Sequence, residues 1–248
     1  RISVVLWTAI IALSAAAMAQ PPAPVTPDLS RLNDGASGHV YNRALAIAKE
    51  DGRTIVRVDA RAGDGGVLLE GIQLGEGVID IDLKGKDVAQ QSFLGVAFHV
   101  VDWMTFDAVY FRPFNFRSPD PERRSHSVQY VSHPTFTWQK LRTERTGQFE
   151  KAIEPPPDPN GWFHARIVLR SSRVEVYVNG AAKPSLEVED LGSARSGGIA
   201  LFVGNGSDGA FSNLTITPSS APGPVPESTL DVFRAARTGH LARVRALV

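Results

Sequence analysis

Apolar and polar side chains alternate every second residue through the middle of this sequence. In Val78-Ile79-Asp80-Ile81-Asp82-Leu83 the alternation sets Ile79, Ile81 and Leu83 on one face of an extended strand and Asp80 and Asp82 on the other. Arg166-Ile167-Val168-Leu169-Arg170 and Arg173-Val174-Glu175-Val176-Tyr177-Val178 flank Ser171-Ser172 as a tight hairpin. Asn179-Gly180 supplies the positive-φ turn that ends its second strand. Gly198 to Val203 and Ala210 to Ile216 read as further strands around the turn-rich Gly204 to Gly209, and Phe93 to Val101 pairs with Phe106 to Phe111 around Asp102-Trp103. Helical periodicity is hard to find in this stretch. Many short strands at regular spacing predict an all-β sandwich or barrel, and a content of 22 Gly and 17 Pro suits its many turns.

Two Pro-rich stretches bound the alternating region. Gln20 to Pro27 reads as an extended leader and Pro218 to Pro226 as a linker, because Pro at this density removes the backbone donors that helix and sheet need. The predicted domains are a signal peptide at 1–19, the leader at 20–27, a sandwich at 28–217, the linker at 218–227 and a partial helical repeat at 228–248. The signal peptide is read from Arg1, the apolar run Ile2 to Leu13, and the cleavage pattern Ala17-Met18-Ala19. It predicts a secreted or periplasmic protein that keeps no membrane segment after cleavage. The first residue is Arg rather than Met, so the natural chain is expected to extend further there.

At the other end Ser228 and Asp231 form a capping box, and Leu230, Phe233 and Ala236 recur at helical spacing. Gly239 ends that helix, and Leu241, Val244 and Leu247 begin another. One such unit cannot bury its own apolar face, so more repeats are expected beyond Val248, with a protein partner on their surface.

Charge and composition narrow the function. The 26 basic and 26 acidic residues balance, which removes the electrostatic footprint of a nucleic-acid binder. No Cys is present, which rules out a disulfide framework, a thiol nucleophile and a lipoprotein anchor.

The most distinctive segment runs Val109-Tyr110-Phe111-Arg112-Pro113-Phe114-Asn115-Phe116, then Arg123 to Pro134, then Trp138-Gln139-Lys140-Leu141-Arg142. With Phe149-Glu150, Gly161-Trp162 and the Asn179-Gly180 turn it resembles exported bacterial proteins of the concanavalin A-like lectin/glucanase superfamily. In outline it is similar to laminin G-like modules and to the DUF1080, or 3-keto-disaccharide hydrolase, family. The C-terminal segment, in Ala235-Ala236-Arg237, Gly239-His240-Leu241 and Val244 to Val248, resembles the opening of an ankyrin repeat. The resemblance implies an all-β jelly-roll β-sandwich, followed by a short helical, ankyrin-like segment, with a face that often holds sugars.

Glycoside hydrolysis needs two carboxylates with separated roles, and laminarinase-like members of the superfamily carry them as Glu-x-Asp-x-x-Glu. That run is missing here. Asp80 and Asp82 share a strand face but read as a solvated outer surface, and Glu150 stands alone. Sugar binding needs aromatic faces and planar polar groups. Tyr110, Arg112, Asn115, Arg124, His126, Gln129, Tyr130, Trp138 and Arg142 supply both types within one segment and are the predicted ligand residues. Alternation puts Tyr110 and Arg112 on one face, with Val109 and Phe111 on the other. The competing reading pairs these arginines with acids such as Asp120 and Glu122 and sends the aromatics to the core. His126 and His133, seven positions apart, are expected on opposite strand faces. No cofactor is expected, although Asn205-Gly206-Ser207-Asp208 clusters oxygens of the kind that hold calcium. Three readings therefore stand: a saccharide- or polar-ligand-binding module, a hydrolase of a glycoside or modified disaccharide, and a structural domain without ligand.

Overall fold

The computed structural model describes residues 22–33 and 35–219. The expected signal peptide and ankyrin-like segment lie outside these residues, as does most of the expected linker. Strands β1 (Gly38–Tyr41), β2 (Leu45–Glu50), β3 (Arg53–Val58), β4 (Gly65–Leu74) and β5 (Gly77–Lys84) come first. They are followed by β6 (Leu94–Asp102), β7 (Thr105–Phe111), β8 (Val128–His133) and β9 (Glu150–Lys151). The last five are β10 (Phe163–Arg170), β11 (Arg173–Val178), β12 (Leu186–Glu189), β13 (Gly197–Val203) and β14 (Gly209–Pro218). Each strand expected from alternation is present. The Ser171-Ser172 hairpin and the Asn179-Gly180 turn both have positive φ, as a tight right-twisted turn requires.

The strands form two seven-stranded antiparallel sheets, β1-β4-β13-β6-β7-β8-β9 and β12-β11-β10-β5-β14-β3-β2. Their facing surfaces make the core. Ile79, Ile81 and Leu83 of the second sheet align with Ile167, Ala165 and Phe163 on β10, and Phe163 meets Phe111 of the first sheet edge-on at 5.0 Å. All seven are fully or almost fully buried. Asp80 and Asp82 lie on the outer face of the second sheet as expected, but they are held there. His164 places Nε2 3.1 Å from Asp80 and Nδ1 2.9 Å from Asp82, and Arg166 and Asn213 bond to the same pair. Val25, in the stretch read as leader, bridges Ile216 and adds to the edge of β14.

Three short helices depart from the all-strand expectation: α1 (Pro113–Phe116), α2 (Pro121–Arg124) and α3 (Trp138–Glu144). Each is one or two turns, too short for a 3.6-residue period to register. Local chemistry starts them. Pro113 and Pro121 stand at the first helical positions, Asp120 accepts from Glu122 N–H, and Thr137 Oγ1 accepts from Lys140 N–H. Together with β9 they form an excursion between β7 and β10 that lies beside the outer face of the first sheet.

Candidate functional site

That excursion and the outer face of the first sheet enclose a cavity of about 510 Å³, within the size range of small-ligand sites. Its floor follows from strand register. Tyr110 pairs with Gln129, Ala108 with Val131 and Phe106 with His133, so these side chains share the outer face. Tyr110, Val131 and His133 line the cavity, and Phe202 of β13 lines it beside them. Tyr110 packs 6.1 Å from Phe202, and His133 stacks on Phe106 at 4.8 Å.

Arg112 follows directly on β7, on the Tyr110 face, and its buried side chain is anchored on three sides. Nη1 donates to His126 O (2.9 Å), while Nη2 donates to Tyr110 Oη (2.9 Å) and to Gln129 Oε1. Tyr110 in turn donates to Gln129 Oε1 at 2.9 Å. The guanidinium lies over the rings of Tyr110 and Phe93, 5.0 and 5.6 Å from their centroids. Burial pulls Arg112 below the usual arginine range, and burial pushes the Tyr110 hydroxyl up to about 12.

The rim is held by Glu150 on β9, whose side chain is only 3% exposed. Arg142 of α3 grips it bidentately, with Nε on Oε1 at 2.9 Å and Nη2 on Oε2 at 2.6 Å. That bond holds Arg142 above the usual arginine range. The guanidinium also lies 5.1 Å from the ring of Trp138, which is 41% exposed. Arg112 Nη1 reaches Glu150 Oε2 at 3.6 Å, beyond hydrogen-bond distance. His126 Nδ1 sits 2.9 Å from that oxygen in ion-pair range, without the alignment of a hydrogen bond. The far wall comes from the loops before β4 and β14, where Asp64 accepts from Asn205 N–H at 3.0 Å. Phe93 and Phe114 meet edge-on at 5.4 Å and complete the apolar lining.

No family model matches the sequence, and no curated protein matches it. Solved structures match the fold. A carbohydrate-binding module, CBM66 from Bacillus subtilis, is 14% identical with a TM-score of 0.52, over 73% of this chain and 96% of the module. A Bacillus subtilis protein of unknown function with a galectin-like fold is also 14% identical with a TM-score of 0.52, over 80% of this chain and 97% of its own. The domain is a two-sheet jelly-roll β-sandwich. The likeness is one of fold.

The jelly roll gathers Tyr110, Arg112, Asn115, His126, Trp138 and Arg142 around one cavity. Gln129 lies beneath it, wholly buried, bonded to Tyr110 and Arg112. Two of the predicted ligand residues are placed elsewhere. Arg124 donates to Ser118 O (2.7 Å) and Pro119 O (3.2 Å), so its guanidinium fastens the turn between α1 and α2. Tyr130 alternates to the opposite face from Gln129 and points between the sheets, where its hydroxyl lies 2.9 Å from Asp107 Oδ1 and 3.1 Å from Asp190 Oδ1. His126 and His133 both line the cavity rather than taking opposite faces, because His126 sits in the turn before β8 where strand alternation does not apply. The pairing of arginines with Asp120 and Glu122 is not what forms: Glu122 lies beside His126, and Asp120 caps α2.

In the Asn205–Asp208 loop, Asn205 Oδ1 accepts from Gly63 N–H, Ser207 Oγ accepts from Phe93 N–H, and Asp208 pairs with Lys86. Phe93, Phe114, Phe202, Asp64 and Arg123 also line the cavity and are not among the predicted ligand residues. Phe202 lies on a strand buried on both faces, which gives no alternation to read. Among the described residues, one further cluster has metal-ligand types within 4.8 Å of one another: His99, Asp107 and Asp190, buried between the sheets.

Proposed function

We propose that this domain binds a saccharide in the cavity of its first sheet and holds it without cutting it. One observation carries the reading: an exposed Trp138 stacked with Arg142 stands at the mouth of a cavity floored by Tyr110 and a buried, preorganised Arg112. Aromatic faces take the C–H faces of sugar rings, and fixed planar donors take their hydroxyls. The fold shared with CBM66 supports the choice of ligand class. A hydrolase of the DUF1080 kind, as the sequence resemblance implies, would need a carboxylate free to move a proton. Glu150 has both oxygens held by Arg142, which favours binding over turnover. In this reading the module is exported, and the ankyrin-like segment at 228–248 adds a protein-binding surface.

Calorimetric titration of the whole chain against a panel of oligosaccharides tests it. Trp138→Ala is expected to weaken the best ligand about tenfold, since a stacked aromatic contributes on the order of 1.5 kcal/mol. Binding by none of the panel, or equal binding by Trp138→Ala, would remove the reading.

A further inference from the structure

Among the described residues three arginines line the cavity, Arg112, Arg123 and Arg142, and the only carboxylate on its wall is Asp64. Behind the rim, Glu150 serves two of these cations at once. It is fully engaged by Arg142 and stands 3.6 Å from Arg112, whose hydrogen bonds all go to neutral acceptors: a backbone carbonyl, a phenol and an amide. Arg123 has no side-chain partner among the described residues, and Asp64 is turned to the Asn205 N–H. His126 competes for Glu150 as well, with the solvent-exposed Glu122 3.2 Å from its other nitrogen. The amide Nε2 of Gln129, buried behind Tyr110 and Arg112, is a donor without an acceptor. Buried cations are ordinarily matched one for one with counter-charges, because an unmatched one keeps its desolvation cost. Among the described residues the cavity has more cations than counter-ions, and Arg112, the buried one, has no carboxylate within hydrogen-bond distance.

We infer that the ligand carries the missing anion: an acidic saccharide whose carboxylate or sulfate is taken by Arg112, Arg123 and Arg142. This rests on the saccharide-binding reading and specifies its ligand. A neutral sugar would fill the space and stack on Trp138, yet leave the charge surplus as it is. A uronate or sulfate oxygen supplies both the counter-ion and the acceptors that the guanidiniums lack.

The test compares ligands that differ only in charge. The whole chain is titrated with oligogalacturonate and with its methyl ester, and separately with chondroitin sulfate oligomers and their desulfated form, at low and moderate salt. The acidic member of at least one pair is expected to bind about tenfold or more tightly than its neutral counterpart, with the advantage shrinking as salt rises. Preference in the first pair identifies a carboxylate, and preference in the second a sulfate. Arg123→Gln, at an exposed position that puts folding at little risk, is expected to cut that preference to about threefold or less. An unchanged melting temperature confirms that this variant is folded. Equal binding of both members in both pairs overturns the anionic ligand while leaving saccharide binding standing, and binding of no member of either pair, with no neutral sugar bound either, overturns both. A preference for the acid that survives Arg123→Gln in full removes Arg123 from the subsite.

Discussion

Tyr110 and Tyr130 stand on adjacent strands of the same sheet and face opposite ways, and their hydroxyls do different work. Tyr110 looks outward, donates to Gln129 and receives Arg112, so it helps fix a guanidinium at the cavity floor. Tyr130 looks inward and sits between two carboxylates, Asp107 and Asp190, while accepting the Leu191 N–H at 2.9 Å. Burial, reinforced by the two carboxylates, pushes its hydroxyl far up, so it stays a neutral donor at any working pH. Tyr130→Phe keeps the ring but strips a donor from two buried carboxylates and an acceptor from a backbone amide. A loss of about 1–3 kcal/mol in urea unfolding is expected, the cost of leaving buried polar groups unpaired. Saccharide affinity, measured in the same preparation by titration, should be unchanged. A marked loss of affinity would mean that the inter-sheet cluster and the cavity are coupled.

Among the elements, the β10–β11 hairpin closes on a turn whose residues are not the ones its backbone favours. Both of its turn residues, Ser171 and Ser172, lie at positive φ, 50° and 62°. A left-handed backbone costs a residue with a Cβ roughly 1–2 kcal/mol, and Asn-Gly carries it far more readily. The bonds that seat this turn are from Ser171 N–H to Glu76 and from Asp190 N–H to Ser172 O, both through the Ser backbone. Ser171→Asn with Ser172→Gly therefore keeps them, and it is expected to stabilise by about 1 kcal/mol, a rise of about 2–4 °C in melting temperature. A fall instead would show that the serine hydroxyls matter to the turn.

The same contrast explains what could be read from the sequence. Strands such as β5 and β10 bury one face, so Ile79, Ile81 and Leu83 alternate visibly with Asp80 and Asp82. Strand β13 is buried on both sides and shows no alternation, which hid Phe202. The cavity residues clustered in 110–142 were legible because one excursion carries them. Their partners Asp64, Phe93 and Phe202 arrive through sheet pairings distant in sequence, which no local pattern encodes. Tyr130 was assigned to the site by its neighbours in sequence, although alternation from Gln129 already set it on the other face.

Across the whole molecule, the two sheets are joined at one edge by a charged cluster as well as by apolar packing. His99, at φ 50° in a bulge of β6, turns inward between Asp107 (Nδ1 to Oδ2, 3.2 Å) and the Gly75 carbonyl (Nε2 to O, 3.0 Å). Asp190 follows β12 of the second sheet, lies 3.9 Å from His99 Nδ1, and receives Arg195 at 2.9 Å. Gly192 permits this closure, because a Cβ there would lie 2.2 Å from Asp107 Oδ2. Burial alone would lower the imidazole pKa. The bonds to Asp107 and Gly75 and the charges of both carboxylates outweigh it and raise it above 6.5. A raised folded-state pKa gives stability that is complete below about pH 6.5 and is lost as pH climbs through the folded value. His133 acts with the opposite sign: burial lowers its pKa, so its contribution is complete above 6.5 and fades below it. The two place a stability maximum near pH 6.5, with His99 governing the decline on the alkaline side. His99→Gln, which keeps a polar side chain but cannot titrate, is expected to lower stability more at pH 6 than at pH 9 and to flatten the alkaline limb of unfolding free energy against pH. An alkaline limb of unchanged slope in that variant would mean that the decline comes from other groups and that His99 is not the charge balancing Asp107 and Asp190.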